Sequence, residues 1–340
     1  MKAMGRTAQR GTSQRGTVNR RRAILLMGPT GSGKSDLAMR LAETLPIEIV
    51  SVDSALVYRG MDIGTAKPAA ADRARTTHHL IDIRDPAESY SAGEFTRDAQ
   101  RAMQEIWQRG RQPLLVGGTM LYFHALTHGI AALPEANAEV RAAIDSQAAS
   151  SGWAAVHEEL HQVDPAAAAR IHVNDPQRIQ RALEVYRLTG ETITSLQQQR
   201  VSVFDDVDVT EFAVAPLERR DLHTRIEIRF GAMLASGLLA EVRALFERGD
   251  LSMEHSSMRA VGYRQLWRHL AGWCGVSEAG NQAIAATRQL AKRQLTWLRR
   301  REQAQWFDSM HPQVARMMLD ALSQGGFTAS SDVTHQGVLC

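Results

Sequence analysis

Gly28-Pro29-Thr30-Gly31-Ser32-Gly33-Lys34-Ser35 follows directly on the apolar run Ala23-Ile24-Leu25-Leu26-Met27 and leads into a helix-forming stretch. These eight residues match the phosphate-loop pattern G-x-x-x-x-G-K-[ST]. A strand, a glycine loop and a helix in that order constrain the fold strongly, because converging backbone N–H groups at a helix N-terminus need a buried strand to hold them. The glycines let the backbone curl around an oxyanion, Lys34 adds a mobile positive charge, and Ser35 offers a hydroxyl to Mg²⁺. A polyphosphate site is expected at residues 28–35. The loop alone leaves open what carries the phosphate, and a nucleoside triphosphate is the commonest cargo.

The alternation continues downstream. Residues 35–45 read as a helix closed by Pro46, and Ile47-Glu48-Ile49-Val50-Ser51-Val52 as a second buried strand ending at Asp53. His79-Leu80-Ile81-Asp82-Ile83 is a shorter apolar run, and residues 92–109 have helical spacing before Gly110. Pro113-Leu114-Leu115-Val116-Gly117-Gly118 reads as another strand, followed by Thr119 and a helix as far as Leu126. Strands alternating with helices imply an α/β fold with a parallel sheet flanked by helices, in which ligands bind beyond the carboxyl ends of the strands. The phosphate loop, Asp53 and Thr119 all follow such ends.

Between residues 131 and 200 the strand pattern stops. Asp164-Pro165 and Asp175-Pro176 each set a capping Asp before a proline at the first helical position, and Gly190 ends a long helix. This segment reads as an all-helical insertion. Glu211-Phe212-Ala213-Val214-Ala215 restores a strand, and helices fill residues 222–247 and 283–303. The expected organisation is a disordered basic arm over 1–22, a core built from 23–130 and 201–310, the helical insertion over 131–200, and a flexible tail over 311–340.

The net charge of +3 resides in the arm, where Lys2, Arg6, Arg10, Arg15, Arg20, Arg21 and Arg22 stand without an acid, so the remainder of the chain is net acidic. The arm is either a solvated extension or a weak, salt-sensitive attachment to RNA. No apolar run approaches the ~18 residues of a membrane span, and none follows the basic residues to make a secretory signal. Two cysteines, Cys274 and Cys340, cannot build a disulfide framework, and a cytoplasmic protein is expected. Near the end of the last long helix Leu290, Ala291, Leu295, Trp297 and Leu298 share one arc, while Arg288, Lys292, Arg293, Arg299 and Arg300 crowd the other. No acid lies between residues 288 and 301, so this face is read as one that meets a polyanion.

Further words now stand in order: Asp53-Ser54-Ala55-Leu56-Val57-Tyr58, Met61-Asp62-Ile63-Gly64-Thr65-Ala66-Lys67-Pro68, His79-Leu80-Ile81-Asp82, Gly117-Gly118-Thr119-Met120-Leu121-Tyr122, Asp175-Pro176-Gln177-Arg178, Val261-Gly262-Tyr263-Arg264-Gln265, and Thr287-Arg288-Gln289-Leu290-Ala291-Lys292-Arg293-Gln294. Over roughly residues 23–308 the chain resembles the tRNA dimethylallyltransferases (tRNA isopentenyltransferases). Gly31 and Ser35 stand where many members have Ala and Thr, and Met120 where many have Gly.

The resemblance implies a P-loop NTPase-like core whose loop holds the diphosphate of dimethylallyl diphosphate, with Mg²⁺ on Ser35. It implies transfer of the dimethylallyl group to N6 of adenosine 37, beside the anticodon of tRNA, with release of diphosphate, by a monomer. Asp53 is then the candidate base for the N6 proton, or alternatively a metal-positioning carboxylate. Thr30 contacts the reacting groups and Arg225 binds the diphosphate, although Arg229, one turn on, could be confused with it. Thr119 lines the channel between the substrates, or only caps a helix. For tRNA the resemblance implies Asp53, Ser54, Ala55 and Leu56 at one strand end. It adds Arg141, with Gln180, Arg181, Ala182, Leu183 and Glu184 of the insertion. It further adds Arg259, Ala260, Val261, Gly262, Tyr263 and Arg264.

Other readings stay open at this point: a P-loop small-molecule kinase, an adenylate isopentenyltransferase acting on free nucleotides, or a nucleotide-switched RNA-binding protein. His157-Glu158-Glu159-Leu160-His161 also fits the zinc-protease pattern H-E-x-x-H. No further ligand word follows it, and no zinc site is expected.

Overall fold

In the computed structural model, which describes residues 21–129, 131, 133–198 and 202–327, the apolar segments form one six-stranded parallel sheet. The first half of the chain supplies β1 (Arg21–Met27), α1 (Lys34–Thr44), β2 (Ile47–Val52), α2 (Ala70–Arg75), β3 (His78–His79), α3 (Ala92–Gln108), β4 (Gln112–Gly117) and α4 (Met120–His128). The strand order is completed by β5 (Val207–Ala215) and β6 (Gln305–Asp308), giving β3-β2-β4-β1-β5-β6. Strand β1 is central, paired with β4 on one side and β5 on the other. The phosphate loop therefore leaves the middle of the sheet.

Successive strand side chains point to opposite faces, and the apolar runs are long enough to bury both. Ile24 and Leu26 of β1, with Ile49, Leu114 and Phe212 of its neighbours, pack under Leu37 and Leu41 of α1. Ala23, Leu25 and Met27, with Val50 and Leu115, pack under Phe95 and Met103 of α3. Helix α3 begins with a capping box in which Ser91 and Glu94 satisfy each other's backbone N–H groups.

Three sequence expectations are corrected here. The expected flexible tail contains α14 (Val314–Gln324), whose Val314, Met318 and Leu322 are buried against the α1 face of the sheet. The expected basic arm loses Arg21 and Arg22, which open β1; residues 1–20 lie outside the described residues. The run from His79 to Ile83 is not a strand beyond its first residue, because Leu80 and Asp82 turn into left-handed backbone at φ 63° and 58°.

The insertion folds around its own small core. Helices α5 (Ala138–Ser151), α6 (Trp153–Val163), α7 (Pro165–Arg170), α8 (Pro176–Thr189) and α9 (Ile193–Gln198) enclose Ile144, Val156, Leu160, Ile179 and Leu183. Asp164 and Asp175 accept from Ala167 and Arg178 backbone N–H groups, and Gly190 closes α8 in the left-handed conformation. His157 donates from Nε2 to the carbonyl oxygens of Ala168 and Ile171. That bond staples α6 to the end of α7 and gives the first histidine of the H-E-x-x-H word a structural task.

Glu184 is fully buried in the insertion, where it accepts from the Asn137 N–H, from Nε and Nη2 of Arg141, and from Nη1 of Arg181. Burial opposes its ionisation, but these donors outweigh that and hold its carboxyl below the usual range. A group so depressed stabilises the fold at neutral pH and loses that contribution as pH falls through its folded pKa. Replacing Glu184 by Leu is expected to destabilise by about 2–4 kcal/mol, short of the full penalty for orphaned ions because both guanidiniums keep access to water. Urea unfolding at neutral pH, compared with Glu184→Gln as the milder change, reads this directly.

Beyond β5 come α10 (Arg219–Ala235), α11 (Leu238–Glu247), α12 (Tyr263–Leu270) and α13 (Val276–Leu298), so the expected helices at 222–247 are two, separated at Gly237. Among the described residues no helix is long and apolar enough to cross a membrane.

Candidate active site at the strand ends

A cavity of about 870 Å³ opens beyond the carboxyl ends of β1, β2 and β4. Its walls include Thr30, Lys34 and Ser35 of the phosphate loop, Asp53–Leu56 after β2, Gly118 and Thr119 after β4, Arg229 of α10, and residues 259–263. The strand ends thus bring the phosphate loop, Asp53–Leu56 and Thr119 to one place.

Within the loop Gly31 and Gly33 take φ values of 81° and 86°, where side chains other than hydrogen are strained. The loop is fixed from outside as well. Gln294 of α13 accepts from the Thr30 N–H at 2.9 Å through Oε1 and donates through Nε2 to the Gly118 carbonyl at 2.8 Å. One amide side chain therefore ties the phosphate loop to the end of β4. Gln294 belongs to a word that the sequence singles out, but no spacing rule identifies it as a clamp.

Lys34 donates to the Pro29 carbonyl at 3.3 Å and sits among other charges. Burial lowers its pKa to about 8; Asp53 raises it and Arg229 lowers it further. Arg229 donates from Nη2 to Thr30 Oγ1 at 3.1 Å, and burial also lowers its pKa, with Asp53 opposing and Arg225 adding to the effect. Cations held in a partly desolvated recess await an anion.

The diphosphate arginine expected at position 225 is placed differently. Arg225 lies beside the loop, where a Cβ on Gly33 would come within 2.9 Å of its Nη2, and it reaches the Met310 sulfur at 3.2 Å. Arg229 lines the cavity and Arg225 does not. Both come from one face of α10, because residues four apart are neighbours on a helix.

Asp53 Oδ1 accepts from the N–H groups of Ala55 at 2.8 Å and Leu56 at 3.4 Å, an Asx turn that fixes the carboxylate at the end of β2. Among the described residues Oδ2 has no hydrogen-bond partner. Thr119 does not cap α4 with its side chain; its Oγ1 accepts from the Ser54 N–H at 3.1 Å and links the ends of β4 and β2.

A second wall rests on Glu241 of α11, which the sequence does not mark. Its carboxylate accepts from the N–H groups of Asp62, Ile63 and Gly64 and from the Tyr263 hydroxyl. The Tyr263 ring then lies so close to Gly64 that a Cβ there would meet it at 2.4 Å. Glu241 thus joins two sequence words, residues 61–68 and 261–265, that are far apart in the chain.

The candidates for an RNA surface divide. Arg264 is exposed and has no ion pair among the described residues, while Arg259 is near Glu254 at 3.4 Å. In the insertion Ala182 and Leu183 are core residues, and Glu184 is the buried anion described above. Arg141 and Arg181 face Glu184, and Gln180 donates to Asp145 at 2.7 Å. The side chains of Ala182, Leu183 and Glu184, all expected among the tRNA contacts, are thus buried inside the insertion. On α13, Arg288 pairs with Glu227 and so leaves the unpaired basic face, whereas Lys292 and Arg293, and Arg299 and Arg300 just past the helix end, make no ion pair among the described residues.

A sequence profile described as IPP transferase matches residues 56–301. The chain belongs to the IPP transferase family. The match starts at Leu56, so residues 28–35 and Asp53 rest on the geometry above. The tRNA isopentenylpyrophosphate transferase of Bacillus halodurans is 35% identical over 91% of this chain and 97% of its own, with a TM-score of 0.66. The tRNA delta(2)-isopentenylpyrophosphate transferase of Staphylococcus epidermidis is 32% identical over 90% of this chain and 98% of its own, with a TM-score of 0.64. A eukaryotic dimethylallyltransferase acting on tRNA, 23% identical over 92% of this chain and 81% of its own, has a TM-score of 0.78 and shows the shared fold. Membership of the IPP transferase family decides against the kinase and nucleotide-switch readings.

Proposed function

We propose that this protein transfers the dimethylallyl group of dimethylallyl diphosphate to N6 of adenosine 37 in tRNA and releases diphosphate. The observation that carries this reading is the meeting of a phosphate loop, two recessed cations and a turn-held carboxylate in one cavity large enough for a donor and an extruded base. Near-complete mutual coverage with the two bacterial tRNA isopentenylpyrophosphate transferases supports it.

The chemistry follows from the charges. Breaking the allylic C–O bond leaves the electron pair on diphosphate, and Lys34, Arg229 and the loop N–H groups stabilise that developing charge. The N6 amine attacks the allylic carbon, and its proton passes to Asp53, through the oxygen that the Asx turn leaves unengaged. Adenosine 37 must leave its stack to reach the cavity, which costs less in a single-stranded loop than in a duplex. Ser54–Leu56 and residues 259–264 are proposed to meet that loop. Arg141, Gln180 and Arg181 are proposed to do so from the insertion.

A metal ion fits this site in one manner. Ser35 and Asp53 both line the cavity, and among the described residues no group of three His, Cys, Asp or Glu could hold an ion. Ser35 would hold Mg²⁺ through its hydroxyl, a hard oxygen donor of the kind that ion takes. When bound, Mg²⁺ supplies further neutralisation of the leaving diphosphate. A cytoplasmic location is proposed on the same grounds as the tRNA substrate.

Label moving from dimethylallyl diphosphate into an anticodon stem-loop, and none into a stem-loop lacking the target adenosine, is the result this function requires. Transfer to free adenine nucleotides with none to RNA would overturn it.

The Lys34 environment adds a pH prediction. Below about pH 8 the empty site already carries the lysine charge; above it, binding an anion must draw a proton onto Lys34. The donor's terminal phosphate is fully ionised there. Affinity for dimethylallyl diphosphate is expected to fall by up to about tenfold per pH unit above pH 8, with proton uptake in calorimetry. In Lys34→Met the affinity should be lower and flat over that range.

A further inference from the structure

Trp297 is 40% exposed and Leu121 is 55% exposed, and both line the mouth of the cavity. A large aromatic left in water beside a reaction site needs an explanation that packing does not give. The indole is not loose: it meets the His124 ring edge-on at 5.9 Å and 71°, and His124 is stacked on His128 at 4.4 Å. Leu121 and His124 share a face of α4, three residues apart, just beyond Thr119. On α13 Arg293 precedes Trp297 by one turn on the same face, and Arg300 follows in the turn that ends the helix, its N–H donating to the Trp297 carbonyl at 3.1 Å. Neither arginine makes an ion pair among the described residues.

We infer that Trp297, seated on His124 and continued by Leu121, is a stacking platform for an unpaired nucleobase next to the one that enters the cavity. This inference rests on the proposed RNA substrate and adds to it a subsite for a second base. An aromatic face set between unpaired cations suits single-stranded nucleic acid, because each base has a π-face and each nucleotide a phosphate. The apolar tail of the donor is the other ligand the indole could touch, and the flanking cations favour the polyanion. Extruding one base breaks two stacks in the loop; a platform at the cavity mouth replaces one of them.

The test is binding of a fluorescent anticodon stem-loop to the full chain by anisotropy, which reads the platform whether or not transfer occurs. Trp297→Ala is expected to weaken RNA binding about tenfold or more, the scale of one lost base–aromatic stack. Trp297→Phe should keep most of the affinity, affinity for dimethylallyl diphosphate should stay within about twofold, and the salt dependence should be unchanged because phosphate contacts remain. An abasic nucleotide beside the target adenosine should cost the unaltered protein as much as Trp297→Ala does, and cost Trp297→Ala itself almost nothing. Unchanged RNA affinity in Trp297→Ala, loss confined to the donor, or an abasic penalty of equal size in both proteins would each overturn the inference. Failure of the label-transfer assay alongside the expected binding pattern would strike the proposed reaction and leave the platform standing.

Discussion

Asp53→Asn is expected to lower single-turnover transfer by about 10²–10⁴-fold, the usual worth of a positioned general base, while affinities for donor and stem-loop change by only a few-fold. The separation is expected because of how the carboxylate is held. Asp53 Oδ1 accepts from Ala55 and Leu56 N–H groups, and an asparagine carbonyl oxygen can accept the same two bonds, so the turn after β2 survives the change. What is lost is the negative charge and the proton-accepting capacity of the other oxygen. The N6 amine is a weak nucleophile whose lone pair is delocalised into the ring, so bond formation to carbon depends on removing its proton as it attacks. A metal-positioning role predicts another pattern: transfer by Asp53→Asn would recover at raised Mg²⁺ concentration, and donor affinity would fall. Transfer near the normal rate at saturating Mg²⁺ and donor would remove Asp53 from the role of base.

That prediction stands on residues that local sequence reasoning reaches, and the reason is physical. The phosphate loop, the second strand and the strand before Thr119 are continuous apolar runs closed by turn residues, and a parallel sheet puts their carboxyl ends together without further information. Long-range partnership is what such reasoning does not reach. Helix α13 has no acid between residues 288 and 301, yet Arg288 finds Glu227 on α10, and Arg301 finds Glu211 on β5. Arg141 and Arg181 are expected at the tRNA, and nothing local shows that Glu184 lies buried between them. Glu241 has no local signal at all, because its partners are backbone N–H groups of a distant loop. The sixth strand is missed for another reason: Gln305–Asp308 is four residues long and only Phe307 is buried. The following helix falls in the expected flexible tail, although Val314, Met318 and Leu322 recur at four-residue intervals as a buried stripe.

The largest consequence of long-range placement concerns the two arginines of α10. Arg229→Ala is expected to cost about 10²–10³-fold in transfer efficiency, and Arg225→Ala about tenfold or less, the scale separating a lost charge-assisted contact to a developing anion from a lost neighbour outside the recess. Arg229 is anchored by Thr30 Oγ1, lines the cavity and is coupled electrostatically to Asp53 and Arg225. Arg225 approaches the same loop at Gly33 and reaches the Met310 sulfur, so it adds to the potential of the site without lining the cavity. Arg229→Lys should recover part of the donor affinity through its charge but little of the rate, because an ammonium cannot reproduce a planar fork aimed at phosphate oxygens. Donor affinity measured beside single-turnover rates separates the two positions. A greater loss in Arg225→Ala than in Arg229→Ala would mean that α10 turns when the donor binds, exchanging which arginine faces the diphosphate.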